Sequence, residues 1–210
     1  MGKLDNGAYG HVSGKIGNLV SYTLNGTNVI RKIGRSTKPP TNAQRAVRKK
    51  LKLVNEFLNP IFGFIKVGFS FAAECTGKYP HNVALSYNIK NAMAGEYPNI
   101  TLDYSKAMVS MGTLTPAINP VVSKLENGIE FTWEVASDMD WKIKNDRAML
   151  LLYFPDSSNA IYFLSGAKRP EGKDFMELAP AYLSEVMQCY IAFYADDKQS
   201  LSDSVWAGAL

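Results

Sequence analysis

The chain has 210 residues, 46% of them hydrophobic and 11% aromatic, which is enough apolar material for a packed core and excludes a disordered or low-complexity protein. Two cysteines, Cys75 and Cys189, exclude a disulfide framework, and no metal-type Cys/His spacing surrounds them. The net charge of +4 conceals two unlike parts: residues 1–52 hold eleven of the 23 lysines and arginines against the single acid Asp5, and the remainder holds eighteen acids against twelve bases.

The opening residues, MGKLDNGAYGHVSGKIGNLV, lack the apolar h-region of a signal peptide, and no apolar run reaches 18 residues. Synthesis in the cytoplasm without a signal peptide, a reducing compartment and no membrane insertion are therefore expected. Residues 1–17, with glycines at 2, 7, 10, 14 and 17, read as an arm that is extended or orders on contact. Leu19–Leu24 and Thr27–Ile33 are β-rich runs flanking Asn25-Gly26, the dipeptide that best tolerates the positive φ angles of a type I′ turn, and this predicts a hairpin.

Pro39-Pro40 makes the preceding residues a linker. A helix is expected from Thr41, which stands at capping-box spacing from Gln44, to Leu58, where Asn59-Pro60 stops it. At about 100° per residue, Val47, Leu51, Val54 and Leu58 share one stripe, expected to face the core, and Arg45, Arg48, Lys49 and Lys52 share the opposite side. Residues 61–73 are apolar and aromatic without a dominant period, so a short buried helix and a strand fit equally well. A second helix is expected over Asn82–Ala94, ended by Gly95 and Pro98.

From Ile100 the period changes to two. Strands are expected at 100–104, 106–111, 120–125, 129–135, 147–154, 159–164, 173–178, 187–195 and 202–207. Short strands in series with turn signals such as Asn127-Gly128, Pro155-Asp156 and Asp196-Asp197 point to an antiparallel β-sandwich. The expected fold class is α+β: a basic arm, hairpin and two helices over 1–98, and the sandwich over 99–210.

Catalytic chemistry has little to draw on. The two histidines, His11 and His81, lie outside any metal or triad motif and read as solvated loop residues. Cys189 alternates with apolar neighbours and reads as a buried small hydrophobe. Asp138/Asp140 and Asp196/Asp197 are turn formers by context, not acid–base pairs or a calcium site. Gly14-Lys15 is not a phosphate-binding loop, because Ile16 stands where Ser or Thr is required and a hairpin follows in place of a helix. No enzyme activity, metal or cofactor is expected. The basic helix face stands out: Arg45, Arg48, Lys49 and Lys52, joined by Arg31, Lys32, Arg35 and Lys38, can meet an acidic surface of another copy, bind phosphates of a nucleic acid, or simply be solvated.

Two resemblances add to this. The segments GIEFTWEV (128–135), AMLLLYFP (148–155) and VMQCYIAFYADDKQSLSDS (186–204) resemble the strand logic of fibronectin type III and immunoglobulin-like modules, with Trp133 as the core tryptophan, Tyr190–Ala195 as the late aromatic strand and a Ser-x-Ser edge strand after it. SGKIGNLVSYTLNGTNVIRKIG (13–34), with Thr41, Gln44, Arg45, Arg48 and the ending SDSVWAGAL, resembles an uncharacterised bacterial family of unknown function. The related arrangement Gly-Lys-x-Gly, strand, turn, Arg strand and Thr-x-x-Gln-x-x-x-Arg is similar to short proteins of phage and prophage structural clusters. These resemblances imply a non-enzymatic structural or interaction component of a bacterial or phage-derived particle; with the charge division between residues 1–52 and the acidic remainder, the expectation is a self-assembling homo-oligomer that meets other particle components through the N-terminal arm, hairpin and helix. Two alternatives stay open: a nucleic-acid-binding protein using the same basic face, and a carbohydrate- or protein-binding sandwich using Trp141, Tyr162 and Trp206.

Overall fold

The computed structural model describes residues 3–4, 10–34, 37–136, 143–196 and 200–210. The chain falls into two compact units, Met1–Thr41 and Asn42–Leu210. It is an α+β protein with antiparallel sheets.

The first unit is a four-stranded antiparallel meander of β1 (Lys3–Leu4), β2 (Val12–Ile16), β3 (Leu19–Leu24) and β4 (Thr27–Lys32). The β3–β4 hairpin forms where expected. Asn25 and Gly26 take φ values of 48° and 78°, the positive pair that a type I′ turn requires and that asparagine and glycine tolerate best. The glycine-punctuated arm is strand over β2, where Gly14, Lys15 and Ile16 pair with Ser21, Val20 and Leu19.

The second unit opens with α1 (Asn42–Leu58), α2 (Phe62–Gly68), α3 (Ser70–Thr76) and α4 (Pro80–Asn91). The ambiguous apolar segment 61–73 is thus helical, and His81 is an α4 residue, half-buried, in place of the expected solvated loop residue. The buried side of α1 also differs from the expected stripe. Val54 and Leu58 of that stripe are buried together with Phe57, whereas Val47 and Leu51 are 66% and 42% exposed, so the core-facing line is rotated by roughly 40° on the helical wheel.

After the two-residue strands β5 (Met93–Ala94) and β6 (Thr101–Leu102) come β7 (Ile118–Leu125), β8 (Gly128–Glu134), β9 (Arg147–Phe154), β10 (Asn159–Phe163) and β11 (Lys173–Glu177). The short helix α5 (Pro180–Leu183) leads to β12 (Gln188–Tyr194) and β13 (Val205–Ala209). The strands form a four-stranded sheet in the order β10-β9-β12-β13 and a three-stranded sheet in the order β11-β8-β7.

Strand β9 explains how the layers stack. Every residue from Ala148 to Phe154 is buried, because alternate side chains enter two different cores. Met149, Leu151 and Tyr153, with Tyr190 and Ala192 of β12, pack against Val54, Phe57, Phe64, Ile65 and Ala84 of the helices. Ala148, Leu150, Leu152 and Phe154, with Cys189, Ile191 and Phe193, pack against Ile129, Phe131, Trp133 and Met176 of the smaller sheet. Helices, four-stranded sheet and three-stranded sheet are therefore successive layers of one unit.

Residues 106–111 carry the alternation of a strand and are not one. They form a strap whose backbone is satisfied by side chains. Asn88, fully buried, donates Nδ2 to the Met108 carbonyl at 2.9 Å and accepts the Met108 N–H on Oδ1 at 2.9 Å. Ser204 Oγ accepts the N–H groups of Val109 and Ser110 at 2.9 and 3.3 Å, and Ser110 Oγ donates to the Ser202 carbonyl at 2.8 Å. The Ser-x-Ser motif is therefore a clamp on this strap, ahead of the edge strand β13. The strap lies so close to α2 that a Cβ on Gly68 would sit 2.5 Å from the Val109 carbonyl oxygen, which restricts that position to glycine.

Burial sets the alkaline limit of this unit. It raises the Cys189 thiol and the Tyr153 hydroxyl to about 12 and the Tyr190 hydroxyl well above its ordinary value, since each would have to ionise inside the core. The folded values exceed the unfolded ones of roughly 8.5 for cysteine and 10 for tyrosine. The corresponding stability is complete below those values and is lost as pH rises toward 12. Melting temperature should stay level from neutrality to about pH 9 and then fall. A level profile up to the folded values would contradict this.

Candidate interaction surface

Among the described residues, no group of three His, Cys, Asp or Glu side chains is placed to hold a metal ion. His11 Nε2 lies 3.2 Å from Thr23 Oγ1, and the His81 ring lies 6.0 Å from that of Phe62. Cys75 is an exposed thiol and Cys189 a buried one. Of the aromatics considered for ligand binding, Tyr162 stacks edge-on against Phe64 at 5.9 Å, and Trp206, 36% exposed, donates Nε1 to Gln188 Oε1 at 3.0 Å. Trp141, Asp138, Asp140 and Asp197 lie outside the described residues.

The charged residues singled out from the sequence fall in both units. Arg31 and Lys32 are exposed on β4, Arg31 with its guanidinium carbon 5.9 Å from the centre of the Tyr22 ring, a geometry that holds the cation over the ring face. Arg35 lies outside the described residues, and Lys38 is exposed in the linker. On α1, Arg45, Arg48 and Lys52 are exposed along one side of the helix. Lys49 is half-buried and donates Nζ to the Pro98 carbonyl, so it helps hold the 95–100 turn against the helix. Lys52 forms an i,i+4 ion pair with Glu56 at 3.6 Å, which is solvent-exposed and contributes at most a few tenths of a kcal/mol. Of the four α1 residues, Arg45 and Arg48 are thus the cations best placed to meet a partner.

The N-terminal sheet adds a feature that residue counting alone did not single out. Paired residues share a face of a sheet. Ile16, Leu19 and Lys32 form one row, and Gly14, Ser21 and Ile30 the next. The opposite face carries Lys15, Val20 and Arg31 in one row and Tyr22 with Val29 in another. Among the described residues of this unit only Ser21 is buried, while Ile16, Leu24 and Ile30 are 49%, 55% and 63% exposed. A sheet of this size is stabilised when an apolar face is covered, and Lys15, Arg31 and Lys32 stand exposed beside these apolar side chains.

These features make an antiparallel α+β fold preceded by a basic sheet unit with exposed apolar side chains. The chain belongs to a family of unknown function, DUF6266, whose model matches residues 11–208. No curated protein and no solved structure matches it.

Proposed function

We propose that this chain is a non-enzymatic structural subunit that assembles with copies of itself, docking through its N-terminal sheet and the basic side of α1. The observation that carries the reading is the N-terminal sheet, whose apolar side chains stand exposed beside lysines and arginines with no described acid among them. Such a surface is stabilised by an apolar partner that bears carboxylates, and residues 53–210 supply eighteen of the chain's nineteen acids. The two contacting surfaces differ, so the contact is heterologous and builds rings or filaments. The likeness of residues 13–48 to phage and prophage structural-cluster proteins makes a bacterial or phage-derived particle the setting. In this reading residues 99–210 are a fibronectin- or immunoglobulin-like sandwich; Trp133, packed edge-on at 5.5 Å against Phe193 across the second core, supports it.

Charge reversal tests the reading. Arg45→Glu combined with Arg48→Glu, and separately Arg31→Glu combined with Lys32→Glu, should each reduce the assembled mass toward that of a monomer. Circular dichroism and melting should be unchanged, because exposed substitutions of this kind alter stability by about 0.5 kcal/mol or less. Assembly that survives both reversals would count against the proposal. A monomer carrying nucleic acid that salt releases would favour the nucleic-acid reading of the same residues.

A further inference from the structure

We infer that the outward face of the β11-β8-β7 sheet is the surface on which the N-terminal sheet of a second copy docks; this rests on the assembly reading and names its receptor. Ile129, Phe131, Trp133 and Met176 point into the core, so their neighbours along the same strands point outward. The register puts Phe175, Glu130 and Ser123 in one row, Lys173, Thr132 and Val121 in the next, and Glu177, Gly128 and Leu125 in the third. Val121, Leu125 and Phe175 are 56%, 45% and 41% exposed, which sets three large apolar side chains around the Glu130 carboxylate.

Glycine at 128 shapes the middle of this face. The tip of the Phe175 ring lies 2.7 Å from where a Gly128 Cβ would be, so the ring lies over the bare backbone and leaves a low apolar platform. Glu134 extends the carboxylates along β8 opposite Ile118, which is 41% exposed, and Lys173 is the face's one amine among these rows. Three carboxylates against one amine repel a nucleic acid and attract a basic partner.

The N-terminal sheet presents the counterpart. Ile16, Leu19 and Ile30 form an exposed apolar triangle with Lys32 in the Leu19 row. One surface is an apolar triangle with carboxylates, the other an apolar triangle with an amine, and both belong to the same chain. A second copy therefore satisfies the apolar and the electrostatic requirement together. Because donor and receptor surfaces are different, each copy can use both, and the contact propagates head to tail.

The test uses two full-length, differently tagged chains, both carrying Cys75→Ser, one with Ile30→Cys and the other with Leu125→Cys, mixed and treated with a short bismaleimide. A crosslinked pair containing both tags is expected, several-fold above a control in which Val186→Cys, at a 52% exposed position on another part of the unit, replaces the Leu125 variant. Lys32→Glu in the first chain should lower the yield several-fold, and Glu130→Lys in the second should restore it. Oligomers that form without this crosslink would overturn the docking face and leave the assembly reading standing. Chains that remain monomeric without crosslinking would overturn both. A crosslink seen only when both cysteines are on one chain would overturn the inference, because the face would then be covered from within.

Discussion

Arg169→Ala is expected to destabilise the second unit by about 3–5 kcal/mol, the cost typical of removing one partner from a buried ion pair. Arg169 and Asp146 are 5% and 1% exposed, and Arg169 Nη2 lies 3.1 Å from Asp146 Oδ2. The same Nη2 donates to the Thr115 carbonyl at 2.8 Å, and the guanidinium carbon lies 3.8 Å from the centre of the Phe193 ring. Trp133 Nε1 donates to the Arg169 carbonyl at 2.8 Å, and the Arg169 N–H donates to the Asp146 carbonyl at 2.8 Å. The guanidinium thus ties Asp146, before β9, to the Thr115 carbonyl and the Phe193 ring of β12, while the Arg169 backbone, which alanine keeps, holds the tryptophan of β8. Desolvation holds its pKa below the ordinary arginine value, and the Asp146 charge opposes that shift. Alanine leaves the Asp146 carboxylate buried without this cation. For a unit of this size the loss corresponds to a fall in melting temperature of roughly 6–20 °C. Lysine keeps the charge but not the planar fork and should recover only part of it. The double variant Arg169→Met/Asp146→Leu, which removes both charges, should be more stable than either single alanine variant. A loss under about 1 kcal/mol for Arg169→Ala would mean that the pair is not structural.

Phe57→Ala is expected to cost about 3–5 kcal/mol and to do so for helices and sheets together. Phe57 is 1% exposed, and its ring meets those of Tyr153, Tyr104 and Tyr190 at 4.9, 5.9 and 6.2 Å. These tyrosines belong to the sheet and to the turn after β6, and Tyr190 Oη donates to the Tyr104 carbonyl at 2.8 Å. Truncating the ring opens a cavity between α1 and β9/β12 that the rigid aromatic neighbours cannot fill. Far-UV circular dichroism, which follows the helices, and the fluorescence of a Trp141→Phe/Trp206→Phe background, which follows Trp133 in the other core, should shift to the same lower midpoint. Separate midpoints, with the helices melting first, would show that helices and sheets do not form one cooperative unit.

Local signals in the sequence carried the elements they control. Asn25-Gly26 demands positive φ and made the hairpin legible; Thr41, Gln44 and Asn59-Pro60 bracket α1; the unbroken apolar run 148–154 marks a strand covered on both faces. What depends on distant partners was not legible. Val47 and Leu51 lie on an apolar stripe, but they sit in the N-terminal half of α1, where they stay exposed, and the core gathers around Val54 and Phe57 instead. Residues 106–111 alternate like a strand, yet their hydrogen-bonding partners are Asn88, about 20 positions earlier, and Ser204, more than 90 positions later. The Asp146–Arg169 pair, likewise, has no local signature at all. For the candidate surface, charge counting found Arg45, Arg48 and the basic N-terminal strands. The exposed apolar triangles on two sheets emerged only from register and burial, since alternation in a strand does not say which face is covered.

Self-assembly through the N-terminal sheet is tested by light scattering on the full-length chain across a hundredfold concentration range at low and high salt, with absorbance at 260 and 280 nm recorded together. The expected mass rises with concentration and falls toward the monomer at high salt as the Lys/Arg–carboxylate contacts are screened, with no excess absorbance at 260 nm. A mass of one chain, 23.2 kDa, at every concentration and salt would contradict it.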